Sequence, residues 1–141
     1  MDGRGKWLLC KLGDCWYGLD LSCVQEINYR PSLLKLHSLK RSLAGVMDWM
    51  DHEVTVVDFA EANVTKNGEN LQRPVVILKA GDSYLGLMAD EIGEIISENQ
   101  GVALDMDMAV LSTIRSVKGA FGYGNEVVFA LEPMELYNAI A

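Results

Sequence analysis

The 141-residue sequence has only three cysteines, three prolines and two histidines, and it contains no long apolar run. Its longest uninterrupted apolar stretch is Val127 to Leu131, whereas a membrane-spanning helix needs about 20 such residues. We therefore expect no direct membrane insertion. Three cysteines cannot all pair within one chain, which favours a reducing compartment, and the N-terminus lacks the apolar core of a secretory signal. The sequence predicts a cytoplasmic protein.

Positive charge is scarce and unevenly placed. The net charge is −8, which argues against binding nucleic acid, because phosphate neutralisation needs clustered lysine and arginine. Residues 1–68 carry 8 basic and 9 acidic side chains, while residues 69–141 carry 4 and 11. A basic segment, Arg30 to Arg41, lies in the first half. This asymmetry indicates either an ordinary solvated surface or head-to-tail complementarity, between the halves or with a partner of similar build.

No catalytic constellation is present. The two histidines, His37 and His52, lie in the basic segment and at the tip of an acidic hairpin. The chain has no G-x-S-x-G elbow, no P-loop and no H-E-x-x-H motif. We therefore expect a protein that is not an enzyme and that binds no cofactor.

The potential metal ligands are also poorly spaced. The three cysteines are separated by five and eight positions, unlike a zinc C-x₂-C pair, and are predicted to be buried core thiols: Cys10, Cys15 and Cys23. Four carboxylates crowd one hairpin, but strand alternation divides them between two faces: Asp48, Asp51, Glu53 and Asp58. The pattern predicts a solvated acidic turn and no metal site.

An internal repeat organises the chain. A shift of 68 positions aligns Leu9–Ile27 with Ile77–Ile95 without a gap, and 7 of the 19 positions are identical. Further along, Glu53–Val56 aligns with Glu126–Phe129 at an offset of 73, and Gly45 aligns with Gly119 at an offset of 74. We interpret this self-similarity as a duplication.

Short strands with tight turns are predicted in both halves. The strands are expected at residues 6–12, 16–21, 24–29, 46–50 and 53–59, and again at 74–80, 84–89, 92–97, 113–121 and 126–131. The expected turns are at Gly13-Asp14, Asp51-His52, Gly81-Asp82 and Gly124-Asn125. Ser22 is expected to cap a helical turn, and residues 39–44 to form a short helix. A final helix is predicted to begin at Pro133, with one apolar face formed by Leu136, Tyr137 and Ile140.

Two copies of about five strands, with little helix, predict a single all-β domain of two small closed sheets. We expect the first lobe at residues 6–62, a joint at 63–73, the second lobe at 74–131 and the helix at 133–140. Because each half is too small to bury much core alone, the two lobes should pack together, with the helix on their seam.

The order of these segments resembles the CheW family of bacterial chemotaxis adaptors. The matching elements are LGDCWYGLDLSCVQEI, LAGVMDWMDHEVTVVDF, YLGLMADEIGEII and VKGAFGYGNEVVFALEPMELYNAI. The resemblance implies two SH3-like five-stranded β-barrels with a C-terminal helix. It also implies a non-enzymatic scaffold that couples methyl-accepting receptors, at their cytoplasmic tips, to a sensor histidine kinase by docking on the kinase's CheW-like regulatory domain.

The resemblance also nominates partner-binding residues. Those that match the V-x-E-I and G-V elements are Val24, Glu26 and Gly45, with Gly86 and Ile95 in the second half. Core packing is the alternative for Val24 and Ile95, and a backbone requirement is the alternative for Gly45 and Gly86.

One element departs from the family pattern. Where the family continues N-x-R-G, this chain reads Asp48-Trp49-Met50-Asp51, so that Met50 replaces the arginine and Asp51 replaces the turn glycine. A methionine supplies none of the donors of a guanidinium. Two functions therefore remain open: an adaptor diverged at this hairpin, or an accessory module that binds the kinase docking domain, or another CheW-like domain, without coupling to receptors.

Overall fold

The computed structural model describes residues 5–34, 43–58, 73–104 and 116–140. Eleven strands and one α-helix lie in these ranges. The strands of the first half are β1 (Lys6–Leu12), β2 (Cys15–Asp20), β3 (Val24–Asn28), β4 (Leu43–Trp49) and β5 (His52–Val57). Those of the second half are β6 (Val75–Ala80), β7 (Ser83–Met88), β8 (Glu91–Ser97), β9 (Val102–Ala103), β10 (Val117–Tyr123) and β11 (Glu126–Leu131), followed by α1 (Pro133–Ile140). The predicted all-β class with a C-terminal helix is confirmed.

The strands form two sheets, and each sheet draws on both halves of the chain. Sheet A has six strands in the order β8-β1-β2-β11-β10-β9, and sheet B has five in the order β3-β6-β7-β5-β4. The predicted lobes of residues 6–62 and 74–131 are therefore wrong as contiguous units. Parallel pairs β2–β11 and β5–β7 join a hairpin of one half to a hairpin of the other, so neither half can complete a sheet alone.

The strand register reproduces the duplication. Leu8 pairs with Ile95 in sheet A, and Val76 pairs with Ile27 in sheet B, which are equivalent positions at the offset of 68. Both pairings are interrupted at the same place by a register shift. The repeat detected in the sequence therefore corresponds to two equivalent sheets.

The offset of 73 for the second hairpins is wrong by one residue. β5 and β11 have the same burial pattern when His52 is aligned with Glu126, and the pairs Gly45–Val56 and Gly119–Ala130 also correspond at an offset of 74. Because side chains alternate between the faces of a strand, a shift of one residue would exchange the buried and exposed faces. Burial thus corrects an alignment that a few identities suggested.

Three of the four predicted two-residue turns are confirmed. Gly13, Gly81 and Gly124 have φ values of 64°, 62° and 60°, as type II′ hairpin turns require at their first central residue. The fourth turn is at Met50-Asp51 and not at Asp51-His52, since His52 is the first residue of β5. It has positive φ at both central residues, as in a type I′ turn.

Several local expectations need correction. Leu43 and Ala44 begin β4, so they are not part of a helix, and the rest of the expected helix at 39–44 lies outside the described residues. A 3₁₀ turn, Leu21–Cys23, does follow β2, but its cap is Asp20, whose carboxylate accepts a bond from the Ser22 amide. An aspartate at this position offers the same acceptor chemistry as the predicted serine. The expected joint at 63–73 is described only at Arg73.

The core has a central layer and two outer clusters. The central layer lies between the sheets and includes Leu8 and Leu19 of sheet A, Leu78 and Leu85 of sheet B, and Leu136 of α1. Each outer cluster lies on the opposite face of its own sheet, one around Trp7 and Val128 and the other around Val54 and Ile77. Both faces of the central strands are therefore buried, which explains the nearly continuous apolar runs of β1 and β6.

The cysteines differ in environment. Cys10 is fully buried between the sheets, and this burial raises the pKa of its thiol to about 12. Cys15 is exposed and Cys23 is partly buried, so the prediction of buried core thiols is right for Cys10 and wrong for Cys15. Cys15 begins β2 directly after a turn, where its side chain points outward. No helix in the described part of the chain is long and apolar enough to span a membrane.

Candidate partner-binding surface

The hairpin of β4 and β5 projects an apolar side chain from a strained turn. Met50 has φ of 45° and Asp51 has φ of 63°, and the side chain of Met50 is 75% exposed. A non-glycine residue in this region costs roughly 1–3 kcal/mol of backbone strain. Because Met50 stays exposed, burial of its side chain does not offset this cost. Strain combined with an exposed apolar group is typical of a surface that is completed by a partner.

A hydrogen bond anchors this hairpin to the edge strand β3. The indole Nε1–H of Trp49 donates to Glu26 Oε2 at 3.1 Å. β3 and β4 are the two end strands of sheet B, so the contact draws the edges of a curved sheet together. The strand-edge glutamate and the hairpin tip thereby form one continuous surface.

The rings of His52 and Tyr84 pack against Trp49. Its ring centroid lies 4.9 Å from that of Tyr84 and 6.2 Å from that of His52, and the His52 and Tyr84 centroids are 4.8 Å apart. The Trp49–Tyr84 contact is edge-on, the His52–Tyr84 contact is tilted and the Trp49–His52 contact is stacked. Edge-on and tilted contacts are favourable because ring edges and faces carry opposite partial charge. The cluster fixes the base of the hairpin while its tip stays exposed.

Sheet A contains an equivalent contact. Tyr123, which corresponds to Trp49 at the offset of 74, donates its hydroxyl hydrogen bond to Glu94, which corresponds to Glu26 at the offset of 68. This bond to a carboxylate raises the pKa of Tyr123, because the acceptor favours the protonated phenol. The repeated glutamate of the V-x-E-I element therefore has an intramolecular role in both sheets, which sequence reasoning did not find.

The hairpin surface is acidic. Asp48 and Glu53 are exposed and directly opposite each other on β4 and β5, and Asp51 lies at the tip. Like charges at directly paired positions are unfavourable in an isolated sheet. A partner surface that carries lysine or arginine would remove this repulsion, so the electrostatics favour a basic partner.

The other predicted site residues are less accessible to a partner or lie away from the hairpin. Gly45 and Gly86 are buried, and an added Cβ would lie 2.6 Å from the Leu34 carbonyl oxygen at Gly45 and 2.8 Å from a Val56 methyl at Gly86. Both glycines are therefore required by close packing, which was the stated alternative. Val24 is partly buried against the central core. Ile95 is 55% exposed on β8, the edge strand of sheet A, so it belongs to a different sheet from the hairpin.

A partly buried ion-pair network was missed by sequence reasoning. Arg73 Nη1 donates to Asp90 Oδ1 at 2.8 Å, and its Nη2 bonds to Asp58. Asp90 Oδ2 in turn accepts from the Gly13 amide of sheet A at 2.6 Å. The two carboxylates raise the pKa of Arg73 against the opposing effect of desolvation, which is the largest of the effects that act on it. Because the partners are distant in sequence, no local pattern signals the network.

No group of three or more histidine, cysteine, aspartate or glutamate side chains within the described ranges could hold a metal ion. Of the four carboxylates at the hairpin, Asp58 belongs to the Arg73 network, while Asp48, Asp51 and Glu53 are exposed.

Comparison with known proteins agrees with this architecture. A family model described as CheW-like domain matches residues 6–141. Among solved structures, the crystal structure of the scaffolding protein TtCheW from Thermoanaerobacter tengcongensis is similar to this chain with a TM-score of 0.69 at 20% sequence identity. The match covers 91% of this chain and 84% of that one. At this identity the structural similarity shows the fold alone.

Proposed function

Because this chain belongs to the family of CheW-like domains, we propose that it is a cytoplasmic, non-enzymatic adaptor that couples chemoreceptors to a sensor histidine kinase. In this proposal the edge strand around Glu26 docks on the kinase's own CheW-like regulatory domain, and the hairpin tip at Met50 contacts the receptor. The observation that carries the proposal is the joined surface of Glu26, Trp49 and Met50, where a strained exposed tip is anchored to an edge strand.

The surface has the chemistry of a protein interface. An exposed methionine supplies apolar area, and the partly buried Trp49 supplies a rigid aromatic base. The surrounding carboxylates Glu26, Asp48 and Asp51 would select a basic partner and accelerate its association. The carboxylates are exposed to solvent, so the surface is suited to binding a basic protein partner.

A second function is favoured by the hairpin tip. Met50 offers no hydrogen-bond donor where family members place a guanidinium. If that guanidinium normally contacts the receptor, this protein occupies the kinase domain, or another CheW-like domain, without coupling it to receptors. Losing one partner of a buried charged hydrogen bond costs about 2–5 kcal/mol, which corresponds to roughly thirty- to several-thousand-fold in affinity.

Titration calorimetry against two partners separates these functions. The partners are the kinase regulatory domain and the cytoplasmic tip of a methyl-accepting receptor. We expect Met50→Arg with Asp51→Gly to strengthen receptor binding and to leave kinase affinity nearly unchanged. The double change restores the donor at the tip, and glycine adopts the positive φ at position 51 without steric cost. If the wild-type protein binds the receptor tip tightly and the double change does not alter that affinity, the protein would instead be an ordinary adaptor.

Two charge reversals test the role of the edge glutamate. We expect Glu26→Lys to weaken kinase binding by at least about tenfold, or about 1.4 kcal/mol, because it reverses the charge and breaks the bond to Trp49. Glu94→Lys is the matched control, since it breaks the equivalent contact with Tyr123 in sheet A. Glu26→Gln keeps an acceptor for the indole and so isolates the charge. Equal losses for Glu26→Lys and Glu94→Lys would contradict a kinase contact at Glu26.

A further inference from the structure

The hairpin of sheet B exposes a thioether at the tip that contacts the receptor in the proposed function. Met50 is 75% exposed, although methionine is among the residues most often buried in proteins. The equivalent turn of sheet A is Gly124-Asn125, which contains no sulfur. Because a thioether can be oxidised reversibly to a sulfoxide, the two hairpins differ in their sensitivity to oxidants.

The other methionines in the described ranges have better protected sulfur atoms. Met47 is 4% exposed within the outer cluster of sheet B. Met88 is partly buried, and its Sδ accepts a hydrogen bond from Arg73 Nη2 at 2.9 Å, which engages a sulfur lone pair. Met134 is 39% exposed, but its Sδ packs against the turn between β6 and β7. Of these four side chains, Met50 is therefore the one that a dissolved oxidant reaches most readily.

The conformation of the hairpin accounts for this exposure. Met50 and Asp51 have φ values of 45° and 63° and form the turn itself. The preceding residue, Trp49, is held to the edge strand by its bond to Glu26. The base of the hairpin is thus fixed, and the side chain of Met50 extends from it into solvent.

We propose that Met50 is a site of reversible oxidation by hydrogen peroxide, and that its sulfoxide weakens the binding of the receptor tip. A sulfur lone pair attacks one peroxide oxygen, and the O–O bond breaks. The departing hydroxide takes the proton of the transferred oxygen and becomes water, so the thioether loses two electrons and the peroxide gains them. This inference rests on the proposed function, because it takes the hairpin tip as the receptor contact.

Oxidation would change the tip from apolar to polar. The sulfoxide oxygen accepts hydrogen bonds and donates none, and the Asp51 carboxylate at the same tip already offers acceptors to a partner. Burying this oxygen in an interface that fits an apolar side chain is unfavourable unless a donor meets it. We therefore expect receptor affinity to fall by about tenfold. Kinase affinity should stay unchanged, because that contact lies at the edge strand around Glu26.

Peptide mapping of the full-length protein tests the modification site. After treatment with hydrogen peroxide for increasing times, digestion at acidic residues separates Met47 from Met50, because Asp48 lies between them. Mass spectrometry then gives the rate of sulfoxide formation at each position. Met50 should be oxidised at least about twice as fast as Met134, in line with their exposed fractions. Equal or faster oxidation of Met134 or Met47 would overturn the assignment.

Titration calorimetry against the receptor tip and the kinase regulatory domain tests the consequence. Met50→Leu keeps an apolar side chain of similar size without the sulfur, so it should bind the receptor tip like the wild type and lose no affinity after peroxide treatment. Met134→Leu is the matched control and should remain as sensitive as the wild type. Treatment of the oxidised wild type with the two methionine sulfoxide reductases, one for each epimer, should restore its affinity.

The outcomes separate this inference from the proposed function. If the untreated wild-type protein does not bind the receptor tip, the coupling function is wrong, and the oxidative control falls with it. If it binds and oxidation of Met50 leaves the affinity unchanged, the oxidative control alone is overturned. An equal loss in peroxide-treated Met50→Leu would also overturn it, as would equal losses of receptor and kinase affinity, which would indicate damage to the fold.

Discussion

Sheets A and B have equivalent strands, registers and central cores, yet they differ where each one meets solvent. Sheet A ends its second hairpin with a glycine turn, closes with Tyr123 on Glu94 and leaves a cleft beside Ala103. Sheet B has a strained turn at Met50, closes with Trp49 on Glu26 and fills the equivalent space with Leu33. The duplicated positions therefore maintain the fold, while the positions that differ create surfaces.

The difference shows how a duplicated fold can specialise. Backbone pairing and the central layer need both copies to keep the same register, since every parallel pair joins one half to the other. The hairpin tips and the outer clusters are not constrained to stay alike in the two sheets, because each contacts only its own sheet. Divergence there changes what the protein binds at little cost to the fold.

The largest expected effect concerns the helix that follows sheet A but contacts β6 of sheet B. Leu136 is 2% exposed within the central layer, and Leu136→Ala should lower the free energy of unfolding by about 2–5 kcal/mol, through lost burial and the cavity left behind. Urea denaturation provides the measurement. Asn138→Ala, at an exposed position of the same helix, should change it by less than about 0.5 kcal/mol. Similar small effects for both variants would show that the helix does not stabilise the contact between the sheets.

An intermediate effect depends on pH and arises from sheet A. Cys10 corresponds to Leu78, and burial raises its pKa from 9.0 to about 12. Between these values the unfolded chain loses the thiol proton while the folded protein keeps it, so stability should fall by about 1.4 kcal/mol per pH unit above about pH 9. Below pH 9 the thiol is protonated in both states and contributes no slope.

Cys10→Val is the matching control, because it removes the titrating group and keeps an apolar side chain of similar size. Urea midpoints measured from pH 8 to pH 10.5 should decline less steeply for this variant than for the wild type. Tyr17, whose pKa is raised chiefly by burial, would contribute to the slope that remains. Parallel declines for the two proteins would mean that Cys10 ionises in the folded state as readily as in the unfolded chain.

The smallest expected effect compares the two hairpin turns. Asp51→Gly should raise the free energy of unfolding by roughly 1 kcal/mol, since glycine adopts positive φ without the steric cost. Asn125→Gly changes the equivalent residue of sheet A, where φ is not positive, and should lower stability by about 0.5 kcal/mol. Thermal denaturation of both variants checks the signs. A loss of stability for Asp51→Gly would contradict backbone strain at this turn.

Much of the fold could be predicted from local patterns. The Gly13, Gly81 and Gly124 turns, the strand of residues 6–12 and the helix at Pro133 all rest on neighbouring residues, which determine a tight turn or an apolar face directly. The offset of 68 likewise identified positions that occupy equivalent places in the two sheets. The V-x-E-I and hairpin elements were also sufficient to indicate the family that the later comparison confirmed.

The candidate site was less accessible to sequence reasoning. Glu26 was nominated and Met50 was identified as the departure from the family pattern, but the bond by which Trp49 joins the hairpin to Glu26 was not expected. The signal was available in part, because Trp49 and Tyr123 are both aromatic at the offset of 74, as Glu26 and Glu94 match at 68. The incorrect offset of 73 for the second hairpins concealed this correspondence.

By itself, the sequence determined the duplicated all-β architecture, the positions of its glycine turns and the apolar helix that ends the chain. Only the tertiary structure decided that each sheet is assembled from both halves, that Gly45 and Gly86 are enclosed by packing, and that Arg73 joins Asp58 to Asp90. The physical reason is the range of the interactions. Turns and amphipathic faces depend on residues a few positions apart, whereas strand pairing between the halves, close packing and partly buried ion pairs depend on groups that meet only after the chain has folded.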